Sequence, residues 1–421
     1  MYRQRFVGEI PKEYSKLGQL RCSPSENDFE IQELLLNKLL AHAVKNVPFY
    51  RSCVEERGLS LGDVNSKNYE QIFPVLSKQD IVSDPQSFFA IDKGSKKDSF
   101  ILSTSGSSGT PLRILTNKQA RRINYRYYEF LLKEFGASYR ERSTTFAGRV
   151  LYKNLTNGVS RYDYYNSTQY LSSYFLSETS VNSYFDAICS WKPKFIDAYP
   201  SIIGQFVDLC LQKNLKLNFS PKFVLTSSET LTKAVRNKIE NFFGCPVVDH
   251  YGCTEMAISA FSDGGDYYLD PKYAKVELVS VGENIYKVIA TGLFNYAMPL
   301  IRYDIGDTVS LSEPGNPYKF NAVEGRLDDL VVTPEGRKIG RLDPCFKGIQ
   351  GVRYSQVIQK SLTEIEIKVV LDDEHADLFI IDDLLKNFAQ RTSDKINFTV
   401  TLVNDIERSA NGKFKSVVSL M

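Results

Sequence analysis

Between residues 100 and 300, short apolar runs repeatedly end in polar turns, and this repetition constrains the fold more than any other feature. FILST at 100–104 reads as a strand entering a Gly/Ser turn. KFIDAYPS at 194–201 and KFVLTSSE at 222–229 are short strands closed by polar turns, and CPVVDHYG at 245–252 repeats the pattern. Helical stretches separate these runs. Strand then polar loop, several times over, is how a layered α/β fold sets ligand groups at the ends of its strands.

The two ends of the chain read differently. Residues 1 to about 100 are helical and connecting: Ile31, Leu34, Leu35, Leu39 and Ala43 follow helical spacing, Leu36 and Leu40 widen the stripe, and Lys38 lies at its edge. Asn27 or Asp28 is the expected cap. In the last hundred residues TEIEIKV at 363–369 and NFTVTLV at 397–403 alternate as half-buried strands do, and Ile381, Leu385 and Phe388 share a helical face between them. A small α+β domain of ββαβ type fits. The predicted division is a large α/β domain over 1–326 and a smaller α+β domain over 327–421.

With 52 Lys+Arg against 50 Asp+Glu in 421 residues, no blanket charge draws the chain to nucleic acid or an anionic membrane. The seven cysteines are scattered and never in CxxC spacing, which favours reduced thiols in a cytoplasmic protein. No zinc signature can be assembled from them with His42, His250 and His375. The first residues have no apolar core of a signal peptide, and no run of about 18 apolar residues exists, so membrane insertion is not expected.

The strongest local motif is Ser103-Thr104-Ser105-Gly106-Ser107-Ser108-Gly109-Thr110-Pro111. Its glycines allow close backbone approach to an anion, and its amides and hydroxyls offer donors to phosphate oxygens. It lacks the Gly-Lys-Ser/Thr of a Walker loop, and alone it is equally a flexible turn. Tyr251-Gly252-Cys253-Thr254-Glu255 joins an aromatic face, a tight turn and a carboxylate after an apolar strand. IRYDIGD at 301–307, GRLDD at 325–329 and RSANGK at 408–413 follow. Any one of these could be an ordinary loop.

Taken in order and spacing, they make the chain resemble the adenylate-forming superfamily, within its phenylacetate–CoA ligase and CapK-like group. STSGSSGTP resembles that family's phosphate loop, YGCTE its YGxTE motif, RYDIGD its ribose-aspartate motif, EGRLDDLV its hinge and RSANGK its catalytic-lysine motif. VPFYR at 47–51 and FPVLSKQDI at 73–81 also resemble this subgroup, so the likeness spans nearly the whole chain.

The resemblance implies roles for particular residues. Thr104, Ser105, Gly106, Ser107, Ser108, Gly109 and Thr110 would cradle the ATP phosphates. Tyr251 would stack on adenine, with Gly252 and Thr254 beside it; the plain alternative is a core tyrosine at a strand end. Asp307 and Arg326 would bind the ribose, although Arg326 could instead pair with Asp328 or Asp329. Glu229 is a weaker nucleotide residue that also reads as a structural acid. Glu255 would help hold Mg²⁺, a hard cation suited to a hard oxygen ligand, or be a solvated acid. Asp328 falls at the hinge.

Lys413 would be the catalytic residue: the acid's carboxylate and the α-phosphate are both anions, and a fixed cation between them lowers the barrier. A mobile lid would insert it and later withdraw it. Otherwise it is one more solvated lysine. Tyr199 and Ser201 are weak pocket residues, and Tyr162, Tyr164, Tyr165, Tyr170, Tyr174 and Phe175 form an aromatic run that suits either an aryl pocket or ordinary core.

Two departures from the family stand out. Thr110 and Leu112 occupy positions where relatives often carry a lysine, with Arg113 as a substitute, and AISAFSDGGDYYLD at 257–270 lacks the cysteine and histidine that bind zinc in some relatives. The expected function is ATP-dependent conversion of a small carboxylic acid, with aryl acids among the candidates, to acyl-AMP with pyrophosphate release, then transfer to CoA. The alternative passes the acyl group to an amine or hydroxyl acceptor in surface-polysaccharide assembly; a third reading is a nucleotide binder without catalysis. The partners are thus ATP/AMP, Mg²⁺, CoA and a small acid, with a homodimer allowed for.

Overall fold

The computed structural model describes residues 10–14, 24–103, 112–147, 151, 158–172, 175–326, 331–334, 338–339, 342–346, 349, 352–371, 379–407 and 415–421. The chain divides into two compact units. The first comprises Met1–Leu278, Val288–Ile305 and Ser312–Asn321; the second comprises Val279–Lys287, Gly306–Leu311 and Ala322–Met421. The architecture is α/β, with a large sheet in the first unit and a smaller α+β arrangement in the second.

At the centre of the first unit five strands run parallel: Thr168–Ser172, Ser143–Ala147, Phe195–Ala198, Phe223–Ser227 and Val247–Gly252, in that spatial order. Ser160–Asp163 pairs antiparallel at one edge, and Ser259–Ser262 and Tyr267–Leu269 extend the sheet antiparallel on the other side. Four further strands, Ala274–Gly282, Ile285–Gly292, Tyr303–Leu311 and Lys319–Arg326, each pass from one unit into the other along their length.

Helices cover both faces of the parallel core. On one face Val181–Trp191, Pro200–Gln212 and Lys233–Phe243 pack Tyr184, Ile188, Ile203, Phe206, Ile239 and Phe243 against Ile196, Val224 and Val247. On the other, Lys118–Glu134 lays Leu131 and Leu132 on Phe195, Phe223, Leu225, Val248 and Phe261. Period-two alternation explains the split, since residues i and i+2 of each strand share a face. Local chemistry fixes the helix ends: Pro200 supplies a preset φ at the first turn, Thr232 caps through Val235 N–H, and Gly244 takes the left-handed φ of +63° that ends its helix.

Three details of the first unit differ from the expected pattern. The FILST segment forms a separate antiparallel hairpin, Ser99–Ser103 with Arg113–Asn117, and does not join the layered sheet. The first long helix, Glu26–Asn46, is capped by Ser25, whose hydroxyl accepts from Asp28 N–H while Asp28 accepts from Ser25 N–H. Asp28 is therefore the third helical residue of a capping box and not the cap, and Asn27 is not the cap either. Leu34 is 48% exposed, and Gln32 is buried in its stead, donating to the Pro271 and Ala274 carbonyls.

The second unit has a four-stranded sheet in the order Asn397–Leu402, Glu364–Leu371, Val352–Ser361, Val417–Ser419, with helix Phe379–Arg391. Ile365, Ile367 and Val369 bury one face of their strand against Leu384 and Phe388. The helix buries Leu384 where the sequence pattern pointed to Leu385, and Ile381 is only half-buried. Val352–Ser361 supplies the first strand of the expected ββαβ, and one further strand, Val417–Ser419, enlarges it. Fully buried Gln359 bonds both the N–H and the carbonyl of Val332, which ties the Val331–Val332 strand to this sheet.

Candidate active site

The YGCTE segment lies where strand Val247–Gly252 ends, with the Cys253 carbonyl accepting from Met256 N–H to close the following turn. Met256 adopts a left-handed φ of +57° with its side chain buried, so the turn is held by its surroundings. One surrounding element is Gly292: a Cβ there would stand 2.4 Å from the Met256 carbonyl oxygen, so only glycine permits this approach. Gly252 is similarly constrained, since a Cβ would fall 2.8 Å from His250 Nε2.

Each motif residue can now be placed. The Tyr251 ring is 9% exposed and meets Phe320 edge-on, with centroids 5.9 Å apart at 89°. Gly252 and Thr254 are exposed, and Glu255 is partly buried in the turn. Tyr303, buried at the start of strand Tyr303–Leu311, donates its hydroxyl to Glu255 Oε1 at 3.2 Å. The YGCTE turn and the RYDIGD strand thus meet through side chains 48 residues apart in sequence.

Arg302, which precedes that strand at φ +56°, is absorbed structurally. Its guanidinium reaches Glu277 at 2.8 and 3.0 Å and the carbonyls of Glu70 and Phe73 at 2.6 and 2.9 Å. Leu76 N–H bonds the Arg302 carbonyl and Asp304 N–H bonds the Leu76 carbonyl, which locks the entry to Tyr303.

Further along, Gly306 at φ +82° marks the start of the stretch belonging to the second unit, and Asp307 follows, partly buried. Within this unit Thr308 Oγ1 donates to the Gly325 carbonyl at 3.0 Å and Ser310 Oγ to Glu324 at 2.6 Å. As one residue number rises the other falls, so Asp307, midway along its strand, lies level with the backbone of Arg326 on the neighbouring strand.

Glu229 lies at a helix N-terminus. Its Oε2 accepts from Ser201 N–H at 3.0 Å, at the N-terminus of helix Pro200–Gln212 that Tyr199 precedes. A carboxylate there satisfies a helix amide and complements the helix dipole. Glu229, Ser201 and Tyr199 are therefore brought together as a helix cap, with Ser228 at φ +70° turning the chain to reach it.

Of the aromatic run, Tyr162 and Tyr164 stack at 5.8 Å beside Trp191, while Tyr164 and Tyr165 are largely exposed, which fits neither core nor an enclosed pocket. Thr104–110, Asp328, Tyr174 and Lys413 lie outside the described residues, as does the side chain of Arg326. The strands flanking the phosphate loop are described: Ser103 pairs with Arg113 in register.

The electrostatics of the strand ends follow from burial. His250 stacks on Phe261 at 4.5 Å with Nε2 3.1 Å from Ser259 Oγ, and burial lowers its pKa to about 4, so the ring is neutral at pH 7. Asp249 is buried with its pKa raised by desolvation, held by Thr226 at 2.5 Å and by the Tyr267 hydroxyl. Sequence reasoning missed Tyr303, Gly292 and Asp197. Asp197 alone left a sequence signal, a charge inside the apolar run FIDA.

Among the described residues no helix is long and apolar enough to cross a membrane, and no cluster of three or more His, Cys, Asp or Glu is arranged for a metal ion. Residues 331–419 match the family model of the CapK C-terminal domain. Protein CapK of Staphylococcus aureus is 25% identical over 99% of this chain and 94% of its own length. A phenylacetate–coenzyme A ligase of Thermus thermophilus is 22% identical over 96% of this chain and 98% of its own. The fold is similar to that of 2-hydroxyisobutyryl-CoA ligase in the postadenylation state, with a TM-score of 0.68, 16% identity, and 96% and 94% of the two chains covered. These likenesses span the whole chain and support a place in the adenylate-forming superfamily of AMP-forming carboxylate ligases, beside CapK and the phenylacetate–coenzyme A ligases.

Proposed function

We propose that the protein activates a small carboxylic acid with ATP, forming acyl-AMP and pyrophosphate, and passes the acyl group to the thiol of CoA. In the first step a carboxylate oxygen bonds to the α-phosphorus and pyrophosphate leaves. In the second the thiolate attacks the acyl carbon and AMP leaves. The observation that carries this reading is the Tyr303–Glu255 bond, which joins the two nucleotide motifs at one place.

Mg²⁺ fits this arrangement. Among the described residues Oε1 of Glu255 is engaged by Tyr303 and the other oxygen has no hydrogen bond. One carboxylate together with substrate phosphates is the usual way a protein takes Mg²⁺. When bound, the ion would neutralise charge on the leaving pyrophosphate. Tyr303 would aim the carboxylate, Tyr251 would offer its ring to adenine, and Asp307 with Arg326 would take the ribose hydroxyls. Lys413 would stabilise the charge that develops as the two anions meet, and the loop of Thr104 to Thr110 would hold the phosphates with neutral donors, supported by Arg113 at its base.

The test is a panel of aryl, aliphatic and amino acids in a pyrophosphate-release assay, with and without CoA. Acid-dependent release followed by CoA consumption is expected. Release without CoA consumption moves the second step to an amine or hydroxyl acceptor, including a sugar in surface-polysaccharide assembly. ATP binding with no acid-dependent release overturns the reading.

A further inference from the structure

Asp197 is a carboxylate in an apolar setting, with no partner among the described residues. The other three residues of its strand, Phe195–Ala198, are buried. In the row across the sheet it is flanked by Thr145 and Leu225, with Val248 beyond, and Leu225 and Val248 are each 1% exposed. Among the described residues Asp197 makes no hydrogen bond or ion pair, and desolvation pushes its pKa up to about 6. Other buried acids of this unit are paired: Asp249 with Thr226 and Tyr267, Asp208 with Lys238 at 2.5 Å, Asp270 with Lys272 at 3.2 Å.

A carboxylate held this way costs stability and repays the fold only when something pairs with it. Its place says what that is. Asp197 shares a face with Leu225 and Val248, and two residues further along that face stand Ser227 and His250, neighbours in register, where the strands give way to the Glu229 and Tyr251 turns. It is partly exposed, so a ligand can reach it from the strand ends where α/β sheets bind substrates. A metal ion would need further ligands, and no such cluster exists among the described residues. A hydroxyl would return one hydrogen bond and leave the charge uncompensated; an ammonium returns both. His250, two strands over on the same face, is neutral and cannot serve as the counter-charge.

We propose that Asp197 is a specificity-determining residue that selects an acid substrate bearing a cationic amino group, pairing with that group while the acid's carboxylate is presented to the nucleotide. This rests on the adenylation reading above and names its substrate class.

The experiment compares matched acids in the CoA-free pyrophosphate-release assay: phenylalanine against phenylpropanoate, para-(aminomethyl)benzoate against para-toluate, and aminohexanoate against hexanoate. The wild-type protein should favour the amine-bearing member of at least one pair by about tenfold or more in kcat/KM. Asp197→Asn, nearly isosteric, should bring that ratio toward one. Equal or better use of the des-amino member in every pair overturns the proposal without needing a variant, as does a ratio that Asp197→Asn leaves in place. A preference seen only when an amine acceptor is added to preformed acyl-AMP also overturns it, by assigning Asp197 to the acceptor. Release from des-amino acids alone leaves adenylation standing and removes only this inference, whereas no release from any acid removes both.

Discussion

Tyr303 donates its hydroxyl to Glu255 across 3.2 Å, and through this bond a strand entry locked by Arg302 and Leu76 fixes the carboxylate of the YGCTE turn. Glu255→Gln should therefore keep the fold and raise the Mg²⁺ and ATP requirement by about tenfold or more, because a charged ligand to a hard cation is gone. Tyr303→Phe should give a smaller rise of about threefold, the scale of one lost hydrogen bond. Titrations of Mg²⁺ at fixed ATP, with the acid KM as control, check both. An unchanged Mg²⁺ dependence in Glu255→Gln removes the metal assignment.

The turn beneath Glu255 depends on Gly292. Gly292→Ala would drive a methyl to 2.4 Å from the Met256 carbonyl, a backbone atom that cannot swing aside. A loss of about 1–3 kcal/mol is expected, the range for overpacking, together with a raised KM for ATP. Gly265, where a Cβ meets nothing within 4 Å, is the control, and its alanine variant should stay within about 0.5 kcal/mol. Equal denaturation midpoints for the two variants would show that the turn tolerates the intrusion.

Asp197 makes a pH prediction of its own. Its folded pKa, about 6, lies above the ordinary 3.8, so the folded state binds the proton more tightly than the unfolded one. The contribution to stability is then fully present at low pH and is lost as pH rises from about 4 through about 6. Asp197→Asn should raise the melting temperature at pH 7.5, by the equivalent of about 1–3 kcal/mol, and the gain should vanish near pH 4. A variant less stable than wild type at both pH values would mean the carboxylate has a structural partner.

Lys272 is 1% exposed and pairs with Asp28 and, at 3.2 Å, with Asp270. Asp28 also completes the Ser25 capping box, so one acid serves a helix end and a buried cation together. Lys272→Met should cost about 3–5 kcal/mol in urea denaturation, since it strands two acids. Adding Asp28→Asn and Asp270→Asn should recover part of that loss. No recovery would mean that the lysine stem, and not its charge, carries the stability.

The parallel strands at 195–198, 223–227 and 247–252 were legible because apolar runs closed by polar turns report local burial directly. The FILST run has the same local pattern, yet its partner is the Arg113–Asn117 strand, and strand pairing is a non-local choice that pattern does not encode. Ser25 was missed although Ser-x-x-Asp precedes the helix, because Asp28 is itself a good cap and the two compete for the role. Leu384 replaces Leu385 in the second unit because a helical stripe fixes the buried face only to within about one residue. At the site, YGCTE and RYDIGD were readable as motifs, but the hydrogen bond between Glu255 and Tyr303 exists only once distant segments meet. Glu229 shows the converse: it read as a polar residue after a strand, and the bond it accepts from Ser201 N–H, 28 residues away, has no mark in the local sequence.

The central claim, a two-step ligase with Lys413 serving only the first step, is tested most directly by following both half-reactions in Lys413→Ala. ATP binding should persist, because Tyr251, Asp307 and the phosphate loop are untouched. Acid-dependent pyrophosphate release should fall by about 10²–10³-fold, the scale of one lost electrostatic stabiliser. Thioester formation from supplied acyl-AMP should fall far less. An equal fall in both half-reactions, or no fall in either, contradicts the account.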